Sequence, residues 1–237
     1  MAEHKRRHVQ VFAYDEELHD LRDFKSSGAF LDFLHHSTNE PIPLSSTPEI
    51  HEWSLKTFFK AANTIAQSIK NEHFSTSDTL VFKSTRDKSL YGHVTDTECK
   101  PYFIAAFNAY IQNEAMLWPY IRLTGEHASK GKTRKDQEKQ AISHLHYLLL
   151  ARPDLYVAQG ILTSKNGITF LVGIGGHGVR SLVVDWNNEE LSKLMYAFIF
   201  CLYRPDKFAD PSYEIGRVKY DQVTYTIKLP IKPGVDA

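Results

Sequence analysis

Between Leu155 and Trp186 the chain falls into three short apolar runs, Leu155 to Leu162, Gly167 to Ile174 and Val179 to Trp186. The turns between them are Ser164-Lys165-Asn166-Gly167 and the glycine cluster Gly173 to Gly178. Runs of this length bounded by turn formers read as strands, and connections this short make them a meander. Such a sheet has to bury a face, and helical segments flank it on both sides. Gln137 to Ala151 carries Ile142, Leu145, Leu149 and Leu150 at helical spacing, with Pro153 just past its end. Glu189 to Tyr203 is a second amphipathic segment. The fold class is therefore α/β (α+β), a mixed central sheet flanked by helices.

The 237 residues suffice for one substantial domain, or one domain with an added lobe. Basic and acidic residues balance at 28 each, which excludes a wholesale nucleic-acid coat but leaves local basic patches open. Two cysteines, Cys99 and Cys201, give neither a disulfide framework nor a zinc ligand set, which fits a reducing compartment. No apolar run is long enough to span a membrane, and the charged start of the chain is not a signal peptide. An intracellular protein is expected, cytoplasmic or nuclear; Lys5-Arg6-Arg7 reads as a solvated end rather than a nuclear address.

Val9 to Leu34 is an early strand or helix of open register. Glu40 to Pro48, with three prolines, is a loop. A helix is expected next, capped by Ser46 or Thr47, opened by Pro48 and Glu49, and running to about Lys70 on an apolar face from Ile50 to Ile69. Two strands follow, Asp78 to Ser84 and Leu90 to Cys99. Phe103 to Leu117, rich in alanine and aromatics, reads as a helix packed on the core, and Gly125 to Lys135 as a polar, basic connection. Arg204 to Pro211 is loop, and Val218 to Leu229 alternates like a final strand. No repeat, low-complexity tract or clear linker divides the chain; the expected organisation is an N-terminal extension, 1–48, and a domain, 49–237, with a helical insertion at about 101–135.

Chemistry concentrates at Asp78 and, about twenty residues later, Glu98-Cys99-Lys100. Alternation along a strand puts Glu98 and Lys100 on one face, where Asp78 on the neighbouring strand can meet them. Two carboxylates can share a Mg²⁺, and the lysine can stabilise charge developing on a phosphate. The bland reading is an exposed hairpin, since acid-x-lysine is a common tripeptide. Asp96 shares the face of Glu98, whereas Cys99 points inward and reads as core. Lys130, Lys132, Arg134 and Lys135 form a solvated loop that is also the best local candidate for phosphate-backbone contact. The glycine cluster opens no helix and is a turn. Gly131-Lys132-Thr133 lacks the spacing of a P-loop. No kinase catalytic motif is present. His144 and His146, two apart on a helix, face different directions and make a poor metal pair.

The order helix, strand with Asp78, strand with Glu98-x-Lys100, helix at Gln137, strand at Leu155 resembles the restriction-endonuclease-like core of the PD-(D/E)XK superfamily. The stretch from Asp154 to Trp186, then "NNEELSKLMYAFIFCLYRPDKFADPSYE", is similar to the module ahead of the kinase domain in fungal-type protein kinases, with related arrangements in Crinkler-type effectors. The resemblance implies a first helix packed on a mixed sheet and a second helix following the catalytic strand. It implies Asp78 and Glu98 as ligands of Mg²⁺ or Mn²⁺, the Cys99 carbonyl as a third ligand, and Lys100 orienting water or stabilising the transition state. Glu52, or Glu49, would be the additional helix acid, and Gln140, or Gln137, the polar residue facing the site from the second helix. The implied activity is Mg-dependent hydrolysis of phosphodiester bonds in DNA or RNA. The alternative is an inactive module of the same fold that binds a protein partner or regulates a fungal-type kinase.

Overall fold

The computed structural model describes residues 22–38, 41–85, 89–93, 99–111, 117–128, 133–152, 155–174 and 178–204, together with the backbone of 213–220 and 223–230. In chain order the elements are β1 (Arg22–Asp23), α1 (Ser27–Thr38), α2 (Phe58–His73), β2 (Leu80–Ser84), β3 (Phe103–Phe107) and α3 (Asn108–Ile111). They continue with β4 (Ile121–His127), α4 (Arg134–Ala151), β5 (Val157–Thr163), β6 (Gly167–Ile174), β7 (Gly178–Asp185), α5 (Leu191–Tyr203), β8 (Tyr213–Tyr220) and β9 (Val223–Pro230).

The first seven strands form one mixed sheet in the order β1-β7-β6-β5-β4-β3-β2. The meander β5-β6-β7 is antiparallel, with Gly160 opposite Leu171 and Phe170 opposite Leu182. β5 pairs parallel with β4, and α4 makes the crossover that parallel neighbours require. β4, β3 and β2 are antiparallel to one another. An α/β architecture, a mixed sheet with helices on both faces, is what the chain forms.

The two faces are covered differently. α1, α2 and α5 lie on one side. Eleven of the thirteen residues of α5, from Leu191 to Tyr203, are buried, as a helix apolar all round must be. Phe30 and Leu34 of α1 and Ile65 and Ile69 of α2 are fully buried in the same cluster. α4 covers the other face through Ala141, Leu145 and Leu148, which meet Ala158, Leu162 and Leu171 of the sheet. Gly125 is required where it stands. A Cβ there would lie 2.1 Å from the Phe103 ring, which crosses the strand to pack on Phe58.

Several expectations are corrected. The described residues of 101–135 do not form the expected helical insertion: Phe103–Phe107 and Ile121–His127 are strands of the central sheet, and within 103–111 only Asn108–Ile111 is helical. β3 is buried on both faces, so its unbroken apolar run carries no alternation. The partner of β2 is accordingly β3 and not Leu90 to Cys99. Of that expected strand, the described residues 89–93 and 99–100 form only a single bridge, Tyr91 to Leu117. The first long helix begins at Phe58, ten positions beyond Pro48, because Leu44–Ser46 close a 3-10 turn whose carbonyl at Leu44 takes the Thr47 hydroxyl. Part of 1–48 packs with the sheet: β1 pairs with β7, and Phe24 and Ile42 join the main cluster. The final strand is a hairpin of two, β8 with β9.

Candidate functional site

The expected trio does not assemble as drawn. Asp78 precedes β2 at the end where Leu80 faces Phe107; Lys100 precedes β3 at the end where Ser84 faces Phe103. From Asp78 to Thr85, whose amide bonds the Tyr102 carbonyl, the chain runs about 23 Å at roughly 3.3 Å per residue. Asp78 and Lys100 therefore sit at opposite ends of one strand pair. The Asp78 carboxylate has structural work where it is: Oδ1 accepts the Thr79 amide at 2.7 Å and Oδ2 the Ala109 amide at 2.6 Å, tying the start of β2 to the first turn of α3. Glu98 and Asp96 lie outside the described residues, as do Lys130 and Lys132.

The other predicted residues are dispersed. Glu52 is exposed ahead of α2, and its carbonyl accepts the Thr57 hydroxyl at 3.1 Å. Glu49 is exposed beside His51, 3.6 Å away. Arg134 and Lys135 are exposed in the first turn of α4, where the Arg134 guanidinium pairs with Glu138 at 2.7 Å. Gln140 is half-buried, and Gln137, one turn earlier, is buried. Among the described residues no group of three His, Cys, Asp or Glu side chains is placed to hold a metal ion.

A different acid stands at the centre of the sheet. Glu126, near the end of β4, points to the α4 face and is 7% exposed. Its Oε1 accepts the Tyr102 amide at 3.1 Å and lies 2.8 Å from Nδ1 of His144 on α4, a residue 5% exposed. That approach is one of proximity: Nδ1 is off the line a hydrogen bond needs. A buried carboxylate is tolerated only with partners of this kind, and here the imidazole and the amide are both supplied by elements flanking β4. His144, Ala141 and Gln137 share one face of the helix, so the buried Gln137 belongs to the same polar layer under the apolar contacts of Leu145 and Leu148. His146 faces elsewhere, as the spacing predicts.

Two neighbours complete the site. Cys99 is buried beside it, and burial, then the Glu126 charge, push its thiol up to about 12, which makes it inert as a nucleophile. Thr163 of β5 donates its hydroxyl proton to the Glu126 carbonyl at 3.2 Å. His127 Nδ1 lies 3.3 Å from that same hydroxyl oxygen, so Nδ1 must carry the proton and donate it. The His127 ring also packs against Tyr102, which is 40% exposed at the edge of the cluster.

Chemically, the cluster offers one carboxylate already engaged, one imidazole and one neutral thiol. Glu126 was not among the residues expected to matter, because Gly125 to Lys135 read as a connection. No alternation marked it, because a register shift in β4 sets Ile121 and Leu123 on opposite faces. The chain was compared with models of known protein families, with curated proteins and with solved structures, and none of the three gives a match.

Proposed function

We propose that this chain is a restriction-endonuclease-like domain that does not cut nucleic acid and serves instead as an interaction or regulatory module, of the kind found ahead of fungal-type kinase domains. One observation carries the reading. Glu126, the acid on the strand that leads into the second helix, is buried, with its Oε1 accepting the Tyr102 amide and lying 2.8 Å from the His144 ring. A hard divalent cation wants several oxygen ligands, and a buried carboxylate whose Oε1 already accepts the Tyr102 amide is a poor start for such a shell. The separation of Asp78 from Lys100 supports the same reading.

The nuclease reading keeps one observation in its favour. The order α2-β2-β3-β4-α4-β5 agrees with a first helix, a mixed sheet and a second helix following the strand that bears the acid, and Gln137 sits in the first turn of that helix. One experiment separates the two. The full chain is incubated with circular duplex DNA and with single-stranded RNA in Mg²⁺ or Mn²⁺. The module reading expects no cleavage above buffer. Cleavage by wild type that Glu126→Gln or Lys100→Ala abolishes, with the fold retained, would overturn it in favour of the nuclease. Binding of a fungal-type kinase domain supplied in trans is the positive outcome the module reading expects.

A further inference from the structure

Asn166-Gly167 is the one Asn-Gly pair in the chain, and it sits in the turn between β5 and β6, which the site above does not use. The glycine is fixed by packing. A Cβ at 167 would lie 2.1 Å from the Val184 carbonyl oxygen and 2.9 Å from the Asp185 Cα, so no other residue fits against β7. A backbone nitrogen that follows an asparagine and has no side chain beside it is an unhindered nucleophile toward the asparagine amide. The electrophile is open to attack: Asn166 is exposed, and its side-chain amide makes no hydrogen bond among the described residues.

The nucleophile is restrained. The peptide group joining the two residues is held from both sides: the Gly167 amide donates to the Ser164 hydroxyl at 3.2 Å, and the Asn166 carbonyl accepts the Trp186 amide at 3.3 Å. Ser164 uses the rest of its capacity on the same turn. Its hydroxyl also accepts the Asn166 amide at 3.2 Å and donates to the Gly167 carbonyl at 3.2 Å, which the Ser164 amide meets at 2.9 Å. The Trp186 indole closes the set by donating to the Ser164 carbonyl at 3.0 Å. For its nitrogen to reach Asn166 Cγ, this peptide group has to rotate and give up its proton, and both holds have to break.

We infer that the β5–β6 turn is a latched self-modification site: Asn166 deamidates through a succinimide when the turn opens, and the Ser164 hydroxyl keeps it shut in the folded chain. In the first step a bond forms between the Gly167 nitrogen and Asn166 Cγ. The bond from Cγ to the side-chain nitrogen breaks, and that nitrogen leaves as ammonia with the proton from Gly167. Water then opens the ring at either carbonyl, leaving an aspartate or an isoaspartate and one new negative charge. With ammonia lost, the change is one-way. It also removes, while the ring is closed, the N–H that Ser164 holds. The new carboxylate stands next to the position where Gly167 faces Asp185, itself exposed, so like charges meet at the end of the β6-β7 ladder.

The test incubates the full chain, folded and in denaturing guanidinium chloride, at one mildly alkaline pH, and follows aspartate and isoaspartate at position 166 by peptide mapping and mass spectrometry. An ordinary hydrogen bond is worth about fivefold in rate, so the two holds together should make the folded chain react about thirtyfold more slowly than the unfolded one. Ser164→Ala should speed the folded chain about fivefold and leave the unfolded rate unchanged. Ser164→Thr, which keeps the hydroxyl, should stay near wild type. A folded Ser164→Ala chain reacting at the wild-type rate would remove Ser164 as the latch. If that variant does not fold, wild type decides alone: equal rates in the folded and unfolded chain would show that no latch exists. An unfolded chain that gains no acid at 166 would dispose of the site itself.

Discussion

Asn63 is the substitution for which the structure gives the sharpest expectation. β2 is the last strand of the sheet, and its outer edge would leave peptide groups without partners. The Asn63 side chain, reaching from α2, takes the place of a neighbouring strand: Oδ1 accepts the Phe82 amide at 2.8 Å and Nδ2 donates to the Phe82 carbonyl at 3.2 Å. Asn63→Ala removes both bonds at once. Each is worth about 1 kcal/mol net, and a peptide group left unpaired costs about 1–3 kcal/mol more when water cannot reach it. Asn63 is only half-buried, so water enters and the lower end applies, a gross loss of about 2–3 kcal/mol. Alanine returns up to about 0.7 kcal/mol in helix propensity. The expected net loss is therefore about 2 kcal/mol, read from urea unfolding followed by circular dichroism, together with faster exchange at the Phe82 amide. Asn63→Asp should be as damaging, because it keeps the acceptor but turns a carboxylate oxygen on the Phe82 carbonyl. A loss within about 0.5 kcal/mol, the range of an ordinary surface change, with Phe82 exchange unaltered, would refute the reasoning.

Three further outcomes follow from single contacts. Gly125→Ala should cost about 1–3 kcal/mol by overpacking against the Phe103 ring, and Phe103→Leu in the same chain should recover part of it, measured by thermal unfolding. Tyr203→Phe should lose about 2 kcal/mol, because the buried hydroxyl accepts the Leu80 amide and donates to the Ala66 carbonyl, both at 2.9 Å; urea unfolding reads it. Cys99 should react slowly with a disulfide reagent at pH 8 in the native chain, and Glu126→Gln should speed it by removing the second cause of its raised pKa; equal rates would show that burial alone protects it.

What the sequence made legible were the elements with one dominant period. β6 has the bounds its turns set, and α4 and α5 lie within three residues of their apolar patterns. The middle of the chain carried no such signal. β3 is Phe-Ile-Ala-Ala-Phe, an apolar run that is as compatible with a buried helix as with a strand between two others. β4 skips a register at Arg122, where the pairing with Ala105 and Ala106 shifts, so Ile121 and Leu123 face opposite sides despite their spacing. With both strands misread, the only partner left for β2 was Leu90 to Cys99, and the site was built on that pairing. The N-terminal signal of the first helix failed for a local reason. Ser-Thr-Pro-Glu has the composition of a helix start, but Ser54 and Thr57 form the turn that enters α2, each hydroxyl meeting the other at 3.0 Å.

The site shows the same dependence on tertiary context. Glu126, Gln137 and His144 are eighteen residues apart at most, yet what joins them is a crossover: β4 runs out, α4 returns over it, and the carboxylate meets the imidazole in the layer between. A sequence pattern can mark an acid beside a lysine, but not the depth at which a strand places it. Depth decides the chemistry here. An exposed carboxylate is free to recruit a cation from water, whereas Glu126, 7% exposed, already has its Oε1 on the Tyr102 amide and 2.8 Å from the His144 ring. An arriving metal ion would have to compete with the Tyr102 amide for that oxygen in addition to shedding its own water. The packing of α4 on β4 thus favours a closed polar core over an open site, and that is why the interaction-module reading has the stronger support.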